Sequence, residues 1–204
     1  MKKFNYYTPT SLSESLKLFK SCEFPQYLAG GMTLLPSIKQ GLSSPTDLID
    51  LTLIDGIKGI VDNETNISIG STVNHNEIAK SNIIKSQLSG LADLASKIAD
   101  NAVRNKGTLG GSICNADPAA DYPSALVSLK AEINTNLRRI TAREFFIDMF
   151  ETLLEEGEIV TKITFPKASY SSYEKFSSQA SKYAIVGVFF SILDQKASLA
   201  VTGA

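Results

Sequence analysis

Two glycine pairs, Gly30-Gly31 and Gly110-Gly111, constrain this 204-residue chain more than any other feature. The first pair follows a short apolar stretch, Tyr27-Leu28-Ala29, and precedes residues that favour a helix. Glycine lets the backbone adopt positive φ and approach a ligand closely, and the amides at a helix N-terminus point outward. With the Thr33 hydroxyl as a further donor, this segment predicts a cradle for an anion, best suited to phosphate. The alternative is a plain turn before a helix.

The second pair lies in a long segment, Arg104 to Asp121, that is rich in Asn, Gly, Asp and Pro. Thr108 and Ser112 flank the glycines, with basic residues before them and acidic residues after them. Backbone amides in such a run can form a nest for a pyrophosphate, and Asp117 or Asp121 can accept a ribose or ribityl hydroxyl. The alternative is a surface loop with a helix cap at one of these aspartates. Loops of this length are usually functional, which favours a binding site.

The remaining pattern predicts a mixed chain of helices and strands. Capping-box sequences open helices at Ser11-Leu12-Ser13-Glu14 and Thr141-Ala142-Arg143-Glu144. Alternation from Glu158 to Phe165 predicts a half-buried strand. The opening third reads as strand, helix, strand, helix, strand, a small α/β unit. The predicted helices are 12–20, 34–39, 73–79, 88–99, 122–129 and 141–150, the predicted strands are 27–29, 48–51, 66–70, 132–133, 139–140, 158–165, 184–193 and 197–201, and the predicted loop is 101–121.

Composition excludes several functions. The formal net charge is -1, from 20 basic and 21 acidic residues, so no basic excess is available for a nucleic acid partner. Two cysteines are too few for a four-thiolate iron–sulfur site, and one histidine cannot build a multi-histidine metal site. No apolar run is long enough to span a bilayer, and no apolar segment follows the two N-terminal lysines. We therefore expect no metal site, no membrane span and a cytoplasmic location.

Both glycine segments together resemble the two FAD-binding signatures of the molybdenum hydroxylase flavoprotein, the medium subunit of aerobic carbon monoxide dehydrogenases and of related xanthine and aldehyde dehydrogenases. The resemblance rests on Ala29-Gly30-Gly31 with Leu34-Leu35-Pro36, and on Arg104 to Ser112 with Ala116 to Asp121. It extends to 47–51, 142–146, 156–160 and 184–188, which is nearly the whole chain. It implies an α+β fold, the vanillyl-alcohol-oxidase-like (PCMH-type) FAD-binding fold of two subdomains, with the start of a C-terminal α+β domain.

The resemblance also assigns roles to residues. Ala29 to Thr33 and Thr108 to Ser112 would bind the pyrophosphate, and Asp121 would meet the sugar-like part of FAD. Leu28, Leu109 and Ile159 would pack against the cofactor, and Tyr183 would lie near the isoalloxazine. The full set of expected FAD-binding residues is Leu28, Ala29, Gly30, Gly31, Met32, Thr33, Leu34, Thr108, Leu109, Gly110, Gly111, Ser112, Asn115, Ala116, Asp117, Asp121, Ile159 and Tyr183.

The function implied by the resemblance is electron transfer. The chain would take electrons from the clusters of an iron–sulfur small subunit and pass them through FAD to an external acceptor, while a molybdopterin large subunit oxidises the substrate. No catalytic residue is then expected in this chain, since the redox chemistry belongs to the flavin. Two alternatives are a flavin-free docking or assembly module that keeps the fold, and a self-contained flavin oxidase.

The domain division expected from the resemblance is 1–57 and 58–166 for the two FAD-binding subdomains, and 167–204 for an incomplete C-terminal domain. The chain stops just after a strand, at Val201 to Ala204, and nothing in the sequence protects that β edge. Because relatives of this kind continue beyond this strand, we expect that the sequence is truncated or depends on a partner.

Two single residues allow more than one interpretation. His75 can act as an acid–base group near neutral pH, but a polar residue at a helix start is the favoured interpretation. Cys114 follows the second glycine pair, and a small buried residue beside the cofactor is favoured over a redox-active thiol.

Overall fold

A computed structural model describes residues 3–203 of the chain. The N-terminal part is a small α/β unit with a parallel three-stranded sheet in the order β1-β3-β2. Ser11 begins the first helix by accepting a hydrogen bond from the Glu14 amide, and Gly41 ends the second in a left-handed conformation. This unit confirms the predicted strand-helix alternation. Its elements are β1 (Asn5–Tyr7), α1 (Leu12–Ser21), β2 (Pro25–Leu28), α2 (Leu34–Gln40) and β3 (Asp47–Asp50).

The middle part places short helices against an antiparallel five-stranded sheet in the order β4-β5-β10-β6-β7. The main hydrophobic core lies between the helices and this sheet. It includes Ile67, Leu91, Leu126 and Phe165, which are fully buried. The elements are β4 (Ile60–Asp62), β5 (Asn66–Gly70), α3 (His75–Lys80), α4 (Asn82–Gln87), α5 (Ser89–Ser96), α6 (Asn101–Arg104), α7 (Leu109–Asn115), α8 (Tyr122–Ser128), β6 (Glu132–Thr135), β7 (Arg139–Thr141), α9 (Ala142–Phe145), β8 (Phe146–Asp148), β9 (Glu151–Thr152) and β10 (Val160–Pro166).

The last part is an antiparallel meander in the order β11-β12-β13. Its inner face packs on α5 and α8, and the hydroxyls of Ser128 and Ser191 lie 2.9 Å apart at that contact. Its outer face exposes apolar side chains, among them Phe176, Leu199 and Val201. The strands are β11 (Tyr170–Ser177), β12 (Ala184–Leu193) and β13 (Lys196–Thr202).

Two predicted segments differ from the structure. The loop expected over 101–121 contains the helices α6 and α7, because Asp100 and Thr108 each cap a helical turn through the side chain. The helix expected over 141–150 ends at Phe145, because Phe146 and Asp148 instead pair with β9 in a short hairpin.

In the part of the chain that is described, every helix is too short or too polar to cross a bilayer. The predicted division at 57/58 and 166/167 stays a prediction.

Candidate functional site

The two glycine segments meet at one cavity of about 710 Å³. This volume falls within the range of small-molecule and cofactor sites. One wall comes from residues 26–34, which span the end of β2 and the segment after it. A second comes from residues 107–121, and a third from residues 180–183 between β11 and β12. Segments far apart in the sequence therefore converge on a single space.

The first segment presents free backbone donors to the cavity. Gly31 has φ +71°, a left-handed conformation that favours glycine. Within residues 3–203, the amide N–H groups of residues 30–34 have no hydrogen-bond acceptor in the protein, and the next amide, Leu35, donates to the Gly31 carbonyl at 3.2 Å. A run of unpaired amides around a left-handed glycine is an anion-binding nest. These unpaired amides are available to an anion, and phosphate binding by this segment stays a prediction.

The second segment contributes hydroxyls rather than amides. The Gly110 amide donates to the Ser71 carbonyl at 2.8 Å, the Gly111 amide to Thr108 Oγ1 at 3.1 Å, and the Ser112 amide to the Thr108 carbonyl at 3.0 Å. These amides are used inside the protein because they form the first turn of α7. The amide nest expected at Gly110-Gly111 is therefore not open, and the hydroxyls of Thr108 and Ser112 are the polar groups that this part of the segment offers the cavity.

Close contact between glycines holds the two segments together. A Cβ on Gly30 would collide with the Lys106 carbonyl oxygen and lie 2.7 Å from Gly107 Cα. A Cβ on Gly110 would lie 2.6 Å from Ser71 Cβ. The missing side chains thus let the first segment, the second segment and the turn after β5 approach one another.

The structure brings most of the predicted site residues together. Those that line the cavity are Leu28, Ala29, Gly30, Gly31, Met32, Thr33, Leu34, Thr108, Gly110, Gly111, Ser112, Asn115, Asp117, Asp121 and Tyr183.

Three predicted site residues lie outside the lining of this cavity. Leu109 is fully buried in the main core, and Ile159 is buried with Leu51, Ile54 and Ile57 in a separate small cluster. Ala116 ends α7 with φ +47°, and its carbonyl accepts a hydrogen bond from the Phe150 amide at 2.9 Å. These positions make them packing residues around the site.

Asp121 is held by two side chains of β11, a strand of the C-terminal meander. Its Oδ1 accepts hydrogen bonds from the Tyr173 hydroxyl at 2.5 Å and from Lys175 Nζ at 2.9 Å. The side chains of Asp121 and Lys175 are 6% and 2% exposed, so the ion pair is buried. Asp121 thereby joins the cavity wall to β11, and any contact with a sugar hydroxyl would use its remaining lone pairs. Asp117 in turn accepts from the Ala119 amide at 2.9 Å.

Tyr183 stands at the cavity mouth, where it is 45% exposed. Partial burial, followed by the charges of Asp117 and Asp121, raises the pKa of its phenol. The tyrosine therefore remains a neutral aromatic surface over the physiological pH range, suited to cover a planar ring.

The sequence did not assign Ser71, Thr72 or His75 to the site, although all three line the cavity. Ser71 and Thr72 lie in the turn between β5 and α3, and His75 is the first residue of α3. The bridge between Asn74 and Thr108 joins this turn to the second segment. The capping box of Asn74 and Glu77 marks only the start of α3, so the place of this turn in the cavity depends on the long-range pairing. Cys114 also lines the cavity, and its expected role as a small residue beside the cofactor stays a prediction.

A diphosphate-bearing cofactor fits these groups. Free amides, neutral hydroxyls and a left-handed glycine suit phosphate oxygens, and the buried Ser71 Oγ beside them has no partner within residues 3–203. The exposed Tyr183 ring, which also lines the cavity, suits a flavin ring.

Comparison with protein families matches residues 2–168 to the FAD binding domain in molybdopterin dehydrogenase. The glyceraldehyde dehydrogenase medium chain of Sulfolobus acidocaldarius is 33% identical over 195 residues, which is 93% of this chain and 69% of that protein. The carbon monoxide dehydrogenase medium chain of Hydrogenophaga pseudoflava is 33% identical over 193 residues, 91% of this chain and 67% of that protein.

Solved structures give the same result for the fold. Carbon monoxide dehydrogenase from Hydrogenophaga pseudoflava matches with a TM-score of 0.93 and 31% identity, over 98% of this chain and 75% of that chain. Quinoline 2-oxidoreductase from Pseudomonas putida 86 matches with a TM-score of 0.92 and 26% identity, over all (100%) of this chain and 75% of that chain. The α+β FAD-binding fold expected from the sequence is confirmed.

Proposed function

The chain belongs to the family of FAD-binding domains in molybdopterin dehydrogenases, and on that premise we propose that it is an electron-transfer subunit. FAD is the cofactor of this family, and its members are flavoprotein components of oxidoreductases. In the proposed function, FAD accepts electrons from the iron–sulfur clusters of a small subunit and delivers them to an external acceptor. A molybdopterin-containing large subunit would oxidise the substrate.

One observation carries the proposal. The unpaired amides of residues 30–34 and the hydroxyls of Thr108 and Ser112 face the same cavity from two distant segments. The bound flavin would supply the redox chemistry. The chain would bind the diphosphate, orient the ring against Tyr183 and hold the three walls of the cavity together. We further propose that 1–57 and 58–166 form the two FAD-binding subdomains and that 167–204 begins a third.

The first test is an absorption spectrum of the purified chain, followed by identification of the cofactor released on denaturation. Flavin bands and one FAD per chain support the proposal. A colourless chain that takes up no added FAD would contradict it and would favour the flavin-free docking module.

The second test addresses electron transfer. The chain is assembled with its iron–sulfur and molybdopterin partners, and bleaching of the flavin bands is followed by stopped flow after substrate is added. We expect bleaching in the complete assembly and none when the iron–sulfur subunit is omitted. Equal bleaching without that subunit would contradict the proposed route, and rapid reoxidation by oxygen of the isolated reduced chain would favour a self-contained oxidase.

A further inference from the structure

His75 lines the cavity but belongs to neither glycine segment. It is the first residue of α3, with only 4% of its surface exposed. Asn74 and Glu77 form a capping box around it, and its own amide donates to the Gly107 carbonyl at 3.0 Å. The backbone on both sides of the imidazole is therefore fixed.

One ring nitrogen of His75 is already occupied. Nδ1 lies 3.1 Å from the hydroxyl oxygen of Tyr122, which is fully buried. Burial, followed by the charge of Asp121, holds the pKa of Tyr122 well above its usual range, so the hydroxyl keeps its proton. Among the hydrogen bonds of residues 3–203, that hydroxyl has no acceptor other than His75. Tyr122 therefore donates to Nδ1, and a neutral imidazole then carries its proton on Nε2.

The other ring nitrogen, Nε2, has no hydrogen-bond partner within the described chain and is not fully enclosed by the protein. It is not among the fully enclosed unpaired polar atoms of residues 3–203, which are Ser15 Oγ and Ser71 Oγ. Gly107 provides the room, because a Cβ there would lie 2.6 Å from Nε2. Gly30 of the first segment also packs closely on Gly107, since a Cβ on Gly30 would lie 2.7 Å from Gly107 Cα. The Nε2–H donor thus lies where the two glycine segments meet.

We propose that His75 donates its Nε2–H to a phosphate oxygen of the FAD diphosphate, and that Tyr122 is a positioning residue that fixes the imidazole tautomer. This inference rests on the proposed function. The neighbouring hydroxyls of Ser71 and Thr108 are neutral and donate to no acceptor within residues 3–203, whereas Thr72 donates to the Ile57 carbonyl at 2.8 Å. His75 therefore adds a third uncharged donor to those of Ser71 and Thr108. A neutral donor suits this buried wall, since a buried charge would carry a large desolvation cost.

Nuclear magnetic resonance tests the proposal directly, because His75 is the only histidine among the 204 residues. The tag-free chain is labelled with ¹⁵N in the imidazole, so each ring signal belongs to His75. We expect the Nε2–H tautomer in the free chain. Adding FAD or ADP should shift the Nε2–H proton downfield and slow its exchange, and riboflavin, which has no phosphate, should do neither.

Three outcomes would overturn the inference. The first is an Nδ1–H tautomer in the free chain. The second is an unchanged Nε2–H signal when the flavin bands show that FAD is bound, which leaves the proposed function standing. The third is a response to riboflavin but not to ADP, which would assign His75 to the ring. A chain that takes up no FAD would remove the proposed function and this inference together.

Variants add a second readout, the dissociation constant for FAD. His75→Asn keeps an amide near Nδ1 but removes the cavity donor, and we expect binding weaker by about tenfold. His75→Gln places an amide near Nε2 and should bind within about threefold of wild type. Tyr122→Phe should weaken binding by about threefold and show both tautomers.

The control is Ser128→Ala, which removes a buried hydroxyl that bonds Ser191 outside the cavity lining. It should leave the FAD dissociation constant unchanged. Equal affinities for His75→Asn and His75→Gln would contradict the donor role. If His75→Asn does not fold, the wild-type and Tyr122→Phe spectra decide the question.

Discussion

At the scale of single residues, His75 links the site to the pH dependence of stability. Burial, followed by the charge of Arg104, lowers its pKa to about 4 from an ordinary 6.5. Between these two pH values the unfolded chain binds a proton that the folded chain does not. The stabilising effect is therefore fully present above about pH 6.5 and is lost as the pH falls towards 4.

We expect this loss to reach up to about 3 kcal/mol in the free energy of unfolding. Urea unfolding between pH 7.5 and pH 4 would measure it, with His75→Gln as the reference. Carboxylates titrate in both the wild type and His75→Gln, so the difference between their curves of unfolding free energy against pH isolates the contribution of His75. Parallel curves would contradict the burial of a neutral imidazole.

Gly31 gives a second prediction at this scale. Gly31→Ala forces a side chain onto φ +71°, and its Cβ would lie 2.9 Å from Leu35 Cδ1. The unpaired amides surround this residue, and the strain is about 1–2 kcal/mol. We therefore expect the FAD dissociation constant to rise by about 5- to 30-fold. A titration of the apoprotein with FAD, followed by flavin fluorescence, measures the change.

The matched control for Gly31→Ala is Gly56→Ala. Gly56 has φ +83°, no atom within 4 Å of a Cβ, and no place in the cavity lining. It should lose similar stability but keep wild-type FAD affinity. Equal loss of affinity in both variants would show that strain acts through the whole fold and not through the first segment.

At the scale of elements, the buried pair of Lys175 and Asp121 joins β11 to the start of α8. Lys175→Met leaves the Asp121 carboxylate buried without its cation, and we expect a loss of about 3–5 kcal/mol in the free energy of unfolding. Lys167→Met is the control, because its pair with Asp62 is partly exposed, at 27% and 37%. That change should cost no more than about 1 kcal/mol.

Chemical denaturation of both variants compares these values. Adding Asp121→Asn to Lys175→Met should recover part of the loss, since the neutral amide needs no cation. If Lys175→Met and Lys167→Met lose equal stability, the ion pair of Lys175 and Asp121 does not hold the β11-β12-β13 sheet in place.

The elements also show what the sequence could and could not predict. The capping box at Thr141 fixed the start of α9, but its end at Phe145 depends on the pairing of Phe146 with Thr152, which no local pattern indicates. Likewise, α7 contains Gly110 and Gly111, residues of low helix propensity, and forms because Thr108 caps it and Ser71 accepts the Gly110 amide.

The site follows the same division between local and long-range information. The first segment was predictable because a left-handed Gly31 and the start of α2 are local features. The contribution of His75 depends on the bridge between Asn74 and Thr108, and the partner of Asp121 comes from β11. Contacts between residues so far apart carry no signature in a single sequence.

At the scale of the whole molecule, the cavity takes its walls from all three sheet-containing parts. Leu28 ends β2, Val160 begins β10, and Tyr183 precedes β12. A cofactor that touches all three binds only when they are assembled. FAD should therefore stabilise the entire fold and not one part of it.

A ligand that binds only the native state stabilises it by about 2.7 kcal/mol when its concentration is 100 times the dissociation constant. For a chain of this size we expect a rise in Tm of roughly 5–10 °C. ADP should give a smaller rise, because it reaches the phosphate-binding segments without covering Tyr183. Tyrosine absorbance and flavin fluorescence should report the same midpoint during heating. If flavin is released well before the tyrosine signal changes, the cofactor holds only part of the chain, and the three walls do not act as one binding unit.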